Sequence, residues 1–388
     1  MTYSIQTLNN ISDKGLTLLP PTKYVVSNEA ENPDAILLRS FKMHDMDIPD
    51  ALKAVGRAGA GVNNIPLEKM SEAGVVVFNA PGANSNAVKE LVISGMLMAC
   101  RNLNLARDFA KGLEGDDNEI TRQVEAGKKN FAGFELPGRT LGVVGLGAIG
   151  VLVANAAISL GMRVIGFDPL ISIDKAWELD SKVEKAGDIN YLLQASDLIT
   201  FHVPLVDATK DLINTDSLQS MKDNVIILNF ARNGIVNDEA VCAALDAGKV
   251  YSYVCDFPSN LLNNHSRVIA LPHLGASTCE AEENCAIMVA NEVRDYLENG
   301  TIVNSVNMPT ISLPREGESR LAMIHKNIPD MVGQVSHILG KTGANIMSMV
   351  NSSRDNVAVT LMDLENAIDE DTETKLSSIE GMLKLRII

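Results

Sequence analysis

Short apolar segments alternate with amphipathic ones from Lys23 onward, and a glycine-rich turn joins a strand to a helix at residues 145–150. The C-terminal stretch closes on the order strand, helix, strand, strand, helix, strand. Together these predict an α/β chain: doubly wound parallel sheet followed by a ferredoxin-like βαββαβ unit.

The elements can be read in order. Ala35–Leu38 and Val75–Phe78 read as strands, and Leu67–Ala73 as a short helix. Ala87–Arg101 is helical but too apolar to face water, which suits a seam between domains. Lys111–Gly133 is more polar, contains glycine and is expected to connect. Thr140–Val144 reads as a buried strand, Ala148–Leu160 as a helix closed by Gly161, and Arg163–Phe167 as the next strand. Leu198–His202, Val225–Asn229 and Val268–Leu271 continue the series. Glu280–Glu298 is helical by periodicity and stops at Asn299-Gly300. Asn304–Gly317, with Pro309 and Pro314, lacks periodicity and reads as a linker. The strands Arg320–His325, Asn345–Asn351, Val357–Asp363 and Met382–Ile387, with the helices Met331–Leu339 and Glu370–Ile379, then form a separate small domain.

The bulk numbers set limits. A chain of 388 residues, 46% hydrophobic, has enough apolar matter for two or three domains. Its net charge of −16 argues against nucleic acid or an anionic membrane as a partner, since both reward basic surfaces. An anionic substrate therefore needs a local group of arginines and lysines. Cys100, Cys242, Cys255, Cys279 and Cys285 show neither paired nor metal-type spacing, so reduced thiols and no metal site are expected. The N-terminal residues carry no basic segment with an apolar core, and no apolar run reaches membrane-spanning length, which points to the cytoplasm.

The glycine-rich turn carries the first chemistry. In Gly145-Leu-Gly-Ala-Ile-Gly150, Gly145 permits the tight turn, Gly147 lets a pyrophosphate approach the backbone, and Gly150 lets the helix pack on the strand. The phosphates would meet the unpaired N–H groups of Ala148, Ile149 and the rest of the first turn. Asp168, at the end of the next strand, would accept from the ribose hydroxyls and repel a 2′-phosphate. Pro169, Leu170 and Ile171 bring no base after it, so the expected cofactor is NAD rather than NADP.

Further motifs stand in a fixed order: Gly56-Arg-Ala-Gly-Ala-Gly-Val-Asn-Asn64, Asn79-Ala-Pro-Gly-Ala-Asn-Ser85, the glycine turn, Asn229-Phe-Ala-Arg-Asn-Gly234 and Pro272-His-Leu-Gly-Ala-Ser-Thr278. With these the chain resembles the D-isomer-specific 2-hydroxyacid dehydrogenases over nearly its whole length, and its C-terminal unit resembles the ACT regulatory domain. The resemblance implies two doubly wound Rossmann-like domains plus the ACT-like unit. A discontinuous substrate domain would span residues 1–99 and 280–308, an NAD-binding domain 100–279, and the ACT-like domain 318–388.

Oxidising a 2-hydroxy acid requires a base for the hydroxyl proton, and histidine titrates near neutrality. His273 follows a strand and Pro272 and opens a small-residue turn before a helix. Arg232, just past the strand ending at Asn229, offers a planar fork that can hold a carboxylate and polarise the 2-oxygen. His202 also ends a strand but lacks an arginine partner and reads as structural. The glutamate that orients the histidine in this family is missing: after Asp256-Phe-Pro-Ser the chain reads Asn260. Asp256 is assigned to the cofactor, with orientation of His273 as its alternative role. The resemblance adds Pro204, Phe230, Gly275 and Ala276 to the cofactor side. For a phosphorylated 2-hydroxy acid it implies Arg57 first, then Arg39 and Lys128 with Lys129, and Asn84 and Ser85 for the carboxylate.

In ACT-bearing members of the family a histidine and two asparagines bind serine, which here would be His325, Asn327 and Asn345. Asp330 stands where glycine is usual, so a unit used for subunit contact alone is the competing reading. The implied activity is oxidation of 3-phosphoglycerate at the entry to serine synthesis, in a homodimer or homotetramer. A glyoxylate or hydroxypyruvate reductase, and a non-enzymatic NAD-sensing corepressor, are the alternatives.

Overall fold

The computed structural model describes residues Thr2–Ile388, which fall into two compact units. One gathers the chain up to Asn84 with Cys279–Ile388, and the other is Ser85–Thr278.

The first unit opens with five parallel strands: β1 (Tyr3–Leu8), β2 (Tyr24–Ser27), β3 (Ala35–Leu38), β4 (Ala54–Arg57) and β5 (Val76–Asn79). Their order is β2-β1-β3-β4-β5, a doubly wound arrangement. All four residues of β3 are buried, as its unbroken apolar run demands. The helix Cys279–Asn299 lies across this sheet. It comes close because residue 56 is glycine: a Cβ there would sit 2.8 Å from Leu37 Cδ2 and 3.1 Å from Val293 Cγ2. Leu37, Ala54, Val289 and Val293 share the resulting core.

The second unit holds seven parallel strands: β6 (Thr140–Val144), β7 (Arg163–Phe167), β8 (Glu184–Lys185), β9 (Leu198–Phe201), β10 (Val225–Asn229), β11 (Val250–Cys255) and β12 (Val268–Ala270). The order β12-β11-β10-β9-β6-β7-β8 reverses between β6 and β9, where a doubly wound sheet opens its crevice. The helix Ser85–Cys100, expected to close the first domain, belongs here. Val88, Val92 and Met96 pack into one core with Val151, Leu228 and Val254, so the boundary lies at Asn84/Ser85 rather than at residue 99. The supposed connector is also helical in part: Asp117–Gly127 is a helix, N-capped by Asp116 through the Glu119 amide.

The C-terminal strands β13 (Ser319–Lys326), β14 (Ile346–Arg354), β15 (Val357–Leu364) and β16 (Met382–Ile387) form an antiparallel sheet in the order β14-β15-β13-β16. With the helices Met331–Thr342 and Glu370–Ser377 this is the expected ferredoxin-like order. It is not a separate body, however. One face packs on its own helices through Leu321, Met323, Leu339 and Met362. The other face sends Ala322, Ile324, Val359 and Leu361 into the core that holds Ile5, Phe78 and Tyr296.

Candidate active site

In the second unit the glycine turn has the anticipated shape. Gly145 has φ +90°, and a Cβ there would lie 2.5 Å from the His202 carbonyl oxygen. A Cβ on Gly150 would lie 1.9 Å from the Gly145 oxygen, which is how the helix reaches the strand. Around Gly147 a Cβ would meet nothing within 4 Å. No side chain caps the helix Ala148–Ser159 at this end, so its N–H groups face the crevice. Asp168 follows β7 directly, with both oxygens fixed. Oδ2 accepts from the Leu146 amide at 2.8 Å and Oδ1 from the Leu170 amide at 2.9 Å. The residues present fit a dinucleotide.

Arg232, Asp256 and His273 follow β10, β11 and β12, three neighbouring strands, at their carboxyl ends. Asn229 shapes the first loop: its amide donates to the Arg232 carbonyl at 2.9 Å and its oxygen accepts from the Ala231 amide. The Arg232 guanidinium turns back on its own loop, where Nη1 donates to the Ala231 carbonyl at 2.7 Å. The His273 ring is exposed and stands edge-on to Phe257 at 5.3 Å. Asp256 is 2% exposed, and its Oδ1 has no hydrogen-bond partner among the described residues. Burial pushes the Asp256 carboxyl above the usual carboxylate range, against the opposing pull of His273 and Arg232. The structure thus brings the three together around one orphaned buried oxygen, the kind of atom a bound amide would satisfy. Asn260, at the position of the absent glutamate, lies in an exposed loop and its carbonyl accepts from Asn264.

Other expectations fare unevenly. The Phe230 ring packs beside Gly95 of the Ser85–Cys100 helix and is a core side chain, leaving its backbone for a cofactor. Pro204 is exposed, whereas Gly275 is buried near Val88. Ala276 opens the turn toward the next helix. His202 binds Thr200 Oγ1 through Nε2 at 3.0 Å, and burial pushes it down to about 3, so it stays neutral. Lys128 pairs with Glu125 on the surface of the second unit, and Lys129 is exposed beside it. The unit boundary passes between Asn84 and Ser85, whose hydroxyl is buried without a partner among the described residues. Asn229 and Phe257 were not singled out from the sequence. An Asx turn at a strand end was the available signal for the first.

In the first unit β3 and β4 are paired with Leu38 opposite Arg57, so Arg39 and Arg57 leave the carboxyl edge side by side. Arg57 Nε donates to the Arg39 carbonyl at 3.0 Å, and Arg39 Nη1 lies 2.6 Å from Glu282 Oε1. Burial lowers the Arg57 pKa, and the adjacent Arg39 charge adds to the effect.

At the C-terminal sheet the expected trio does not form one site within the chain. His325 is buried, with Nε2 on Thr360 Oγ1 and Nδ1 on the Lys326 carbonyl, both at 2.9 Å. The Asn327 amide meets Asn356 at one end of β15, and the Asn345 carbonyl accepts from Glu365 at the other. Eight residues of β15 separate them, about 25 Å.

Fold and crevice give the second unit the form of a dinucleotide-binding domain. Residues 93–275 match the family model described as D-isomer specific 2-hydroxyacid dehydrogenase, NAD binding domain. The chain belongs to the D-isomer-specific 2-hydroxyacid dehydrogenase family. Relatives carry a more particular name. A D-3-phosphoglycerate dehydrogenase of Methanocaldococcus jannaschii is 36% identical over 81% of this chain and 59% of its own length. One of Haemophilus influenzae is 31% identical over 87% of this chain and 81% of its own. The chain spans about three fifths of the length of the first curated relatives it matches (59% and 58%). Among solved structures, the apo D-mandelate dehydrogenase of Rhodotorula graminis overlays with a TM-score of 0.67 at 22% identity, covering 81% of this chain and all of that one, a likeness of fold.

Proposed function

We propose that the chain catalyses NAD-dependent oxidation of 3-phospho-D-glycerate to 3-phosphohydroxypyruvate, the first step of serine biosynthesis. The observation that carries this reading is the Arg39–Arg57 pair, two arginines leaving neighbouring strands side by side, with Arg57 Nε on the Arg39 carbonyl, in a chain whose net charge is −16. Such a pair suits a phosphorylated acid and is superfluous for D-lactate. Arg57 and Arg39 take the phosphate, and Asn84 and Ser85 the carboxylate.

When bound, NAD supplies the oxidant, accepting hydride from C2 of the substrate. Arg232 holds the carboxylate and polarises the 2-oxygen. His273 takes the C2 hydroxyl proton on a ring nitrogen. Asp256 offers Oδ1 to the cofactor amide, and its charge favours the imidazolium that forms. The reading is tested by NADH formation from 3-phosphoglycerate, D-glycerate and D-lactate, beside NADH consumption on glyoxylate and hydroxypyruvate. A kcat/KM for 3-phosphoglycerate below that for glyoxylate would overturn it, and turnover of none of the five would favour the corepressor-like role.

Serine inhibition belongs to the same proposal, with Asn327 as the accessible ligand. A site that also used Asn345 takes the two amides from different copies of the chain, consistent with a cytoplasmic homodimer or homotetramer. Titration of activity with L-serine tests this: a flat response leaves the C-terminal unit a role in assembly.

A further inference from the structure

Arg39 and Arg57 bring two positive charges together at one sheet edge, and the fold sets the Glu282 carboxylate against Arg39. The helix Cys279–Asn299 is seated on β4 by the close approach that Gly56 permits and by Val289 and Val293, so its first turn is fixed at the same edge. From that turn Glu282 reaches Arg39 at 2.6 Å, while its own side chain remains 51% exposed. Arg57 is held differently. Its Nε is tied to the Arg39 carbonyl, and its Nη1 lies over Gly59, where a Cβ would come within 2.1 Å.

We propose that Glu282 is a positioning residue for the anion-binding pair: it fixes the Arg39 guanidinium so that an incoming phosphate meets both arginines already aimed. The proposal rests on the reading of Arg39 and Arg57 as phosphate ligands. A guanidinium carries five donors in a rigid fork, so a carboxylate on one edge is compatible with a phosphate oxygen on another. The Glu282 carboxylate offsets one of the two guanidinium charges. Attraction for an oxyanion therefore survives, while like-charge repulsion between the arginines is relieved. Arg39 has a long, rotamer-rich stem, and holding it before binding removes an ordering cost from the binding step.

The test uses the full chain with Glu282→Ala and Glu282→Gln. Glu282→Ala should raise KM for 3-phosphoglycerate about tenfold, the effect of one charge-assisted hydrogen bond, with kcat within about twofold and KM for D-glycerate little changed. Glu282→Gln keeps an acceptor oxygen and should recover most of the loss. A second readout needs no turnover: inorganic phosphate should raise the melting temperature of the wild-type protein, and Glu282→Ala should lose most of that rise. Unchanged or tighter phosphate binding in Glu282→Ala, a fall in kcat with KM unaltered, or no phosphate-induced rise in the wild type would each overturn the proposal. Preference for an unphosphorylated hydroxy acid would instead defeat the functional reading, and the phosphate-induced rise would still decide the role of Glu282.

Discussion

Gly147 and Gly150 stand three residues apart and answer to different constraints. At Gly150 the absent side chain is a packing requirement, since a Cβ would lie 1.9 Å from a backbone oxygen. Gly147 has φ −76°, which any L-residue adopts, and open space where its Cβ would point. Nothing in the fold needs glycine there, so the requirement comes from what occupies the crevice. Gly147→Ala should leave the stability unchanged or raise it by the small entropic gain of about 0.4–1 kcal/mol. It should weaken NAD binding by at least about tenfold, because the methyl group keeps the pyrophosphate from the helix N–H groups. Gly150→Ala should instead lose stability outright. Calorimetric titration with NAD beside thermal melts separates the two, and undiminished NAD affinity in Gly147→Ala would place the pyrophosphate elsewhere. These glycines were legible from spacing alone. The burial of Asp256 and the seating of Phe230 against Gly95 were not, because neighbours remote in sequence create both.

The helix Cys279–Asn299 shows how one element meets several demands. Of its last carbonyls, that of Tyr296 accepts the Gly300 amide, and groups from elsewhere in the unit donate to it and to its neighbours. Tyr3 Oη and Arg386 Nη2 donate to Leu297, Arg386 Nη1 to Tyr296, and Arg320 Nη1 to Asn299. Arg320 is itself held by both oxygens of Asp363 at 2.6 and 2.8 Å. Cations at a helix carboxyl end also suit its dipole. Periodicity revealed the helix, but its partners depend on chain closure. Midway along, Glu292 accepts from Asn304 through Oε1 at 2.7 Å, and its Oε2 is buried without a partner among the described residues. Burial pushes this carboxyl up from 4.5 to about 7, and the Asn304 hydrogen bond opposes the shift. A group whose folded pKa is raised contributes stability that is complete below its unfolded pKa and is lost as pH rises through the folded value. Between about pH 4.5 and 7 the wild-type chain should therefore lose stability relative to Glu292→Gln, with no further divergence above that window. Denaturant midpoints of the two proteins across this range check it: parallel curves would mean that Glu292 stays ionised throughout.

The alternation of strands and helices announced both doubly wound sheets, yet the way the chain is partitioned was only partly legible. Strand β1, Tyr-Ser-Ile-Gln-Thr-Leu, buries just Ile5 fully, so it carried little apolar signal. Strand β11 is interrupted by Ser252, whose hydroxyl is satisfied by the Arg267 carbonyl, a partner invisible in one dimension. The largest departure concerns the C-terminal sheet. A sheet covered by helices on one side and by water on the other should alternate apolar and polar along its strands. In β14 half-buried and exposed residues alternate, but seven residues of β13 and seven of β15 are buried without alternation. The runs Arg-Leu-Ala-Met-Ile-His and Ala-Val-Thr-Leu-Met-Asp thus held the sign of a sheet covered on both faces. Because that second face shares a core with Ile5, Phe78 and Tyr296, the N-terminal sheet and the C-terminal sheet should unfold together. Leu361, fully buried at this junction, is the residue to test. Leu361→Ala should cost about 2–5 kcal/mol from lost burial and the cavity left behind. Amide hydrogen exchange should then quicken by similar factors in β1, β3 and β4 and in β13 and β15, while β6 and β10 of the other unit keep their protection. Faster exchange confined to β13–β16 would mean that the shared apolar face does not couple the two sheets.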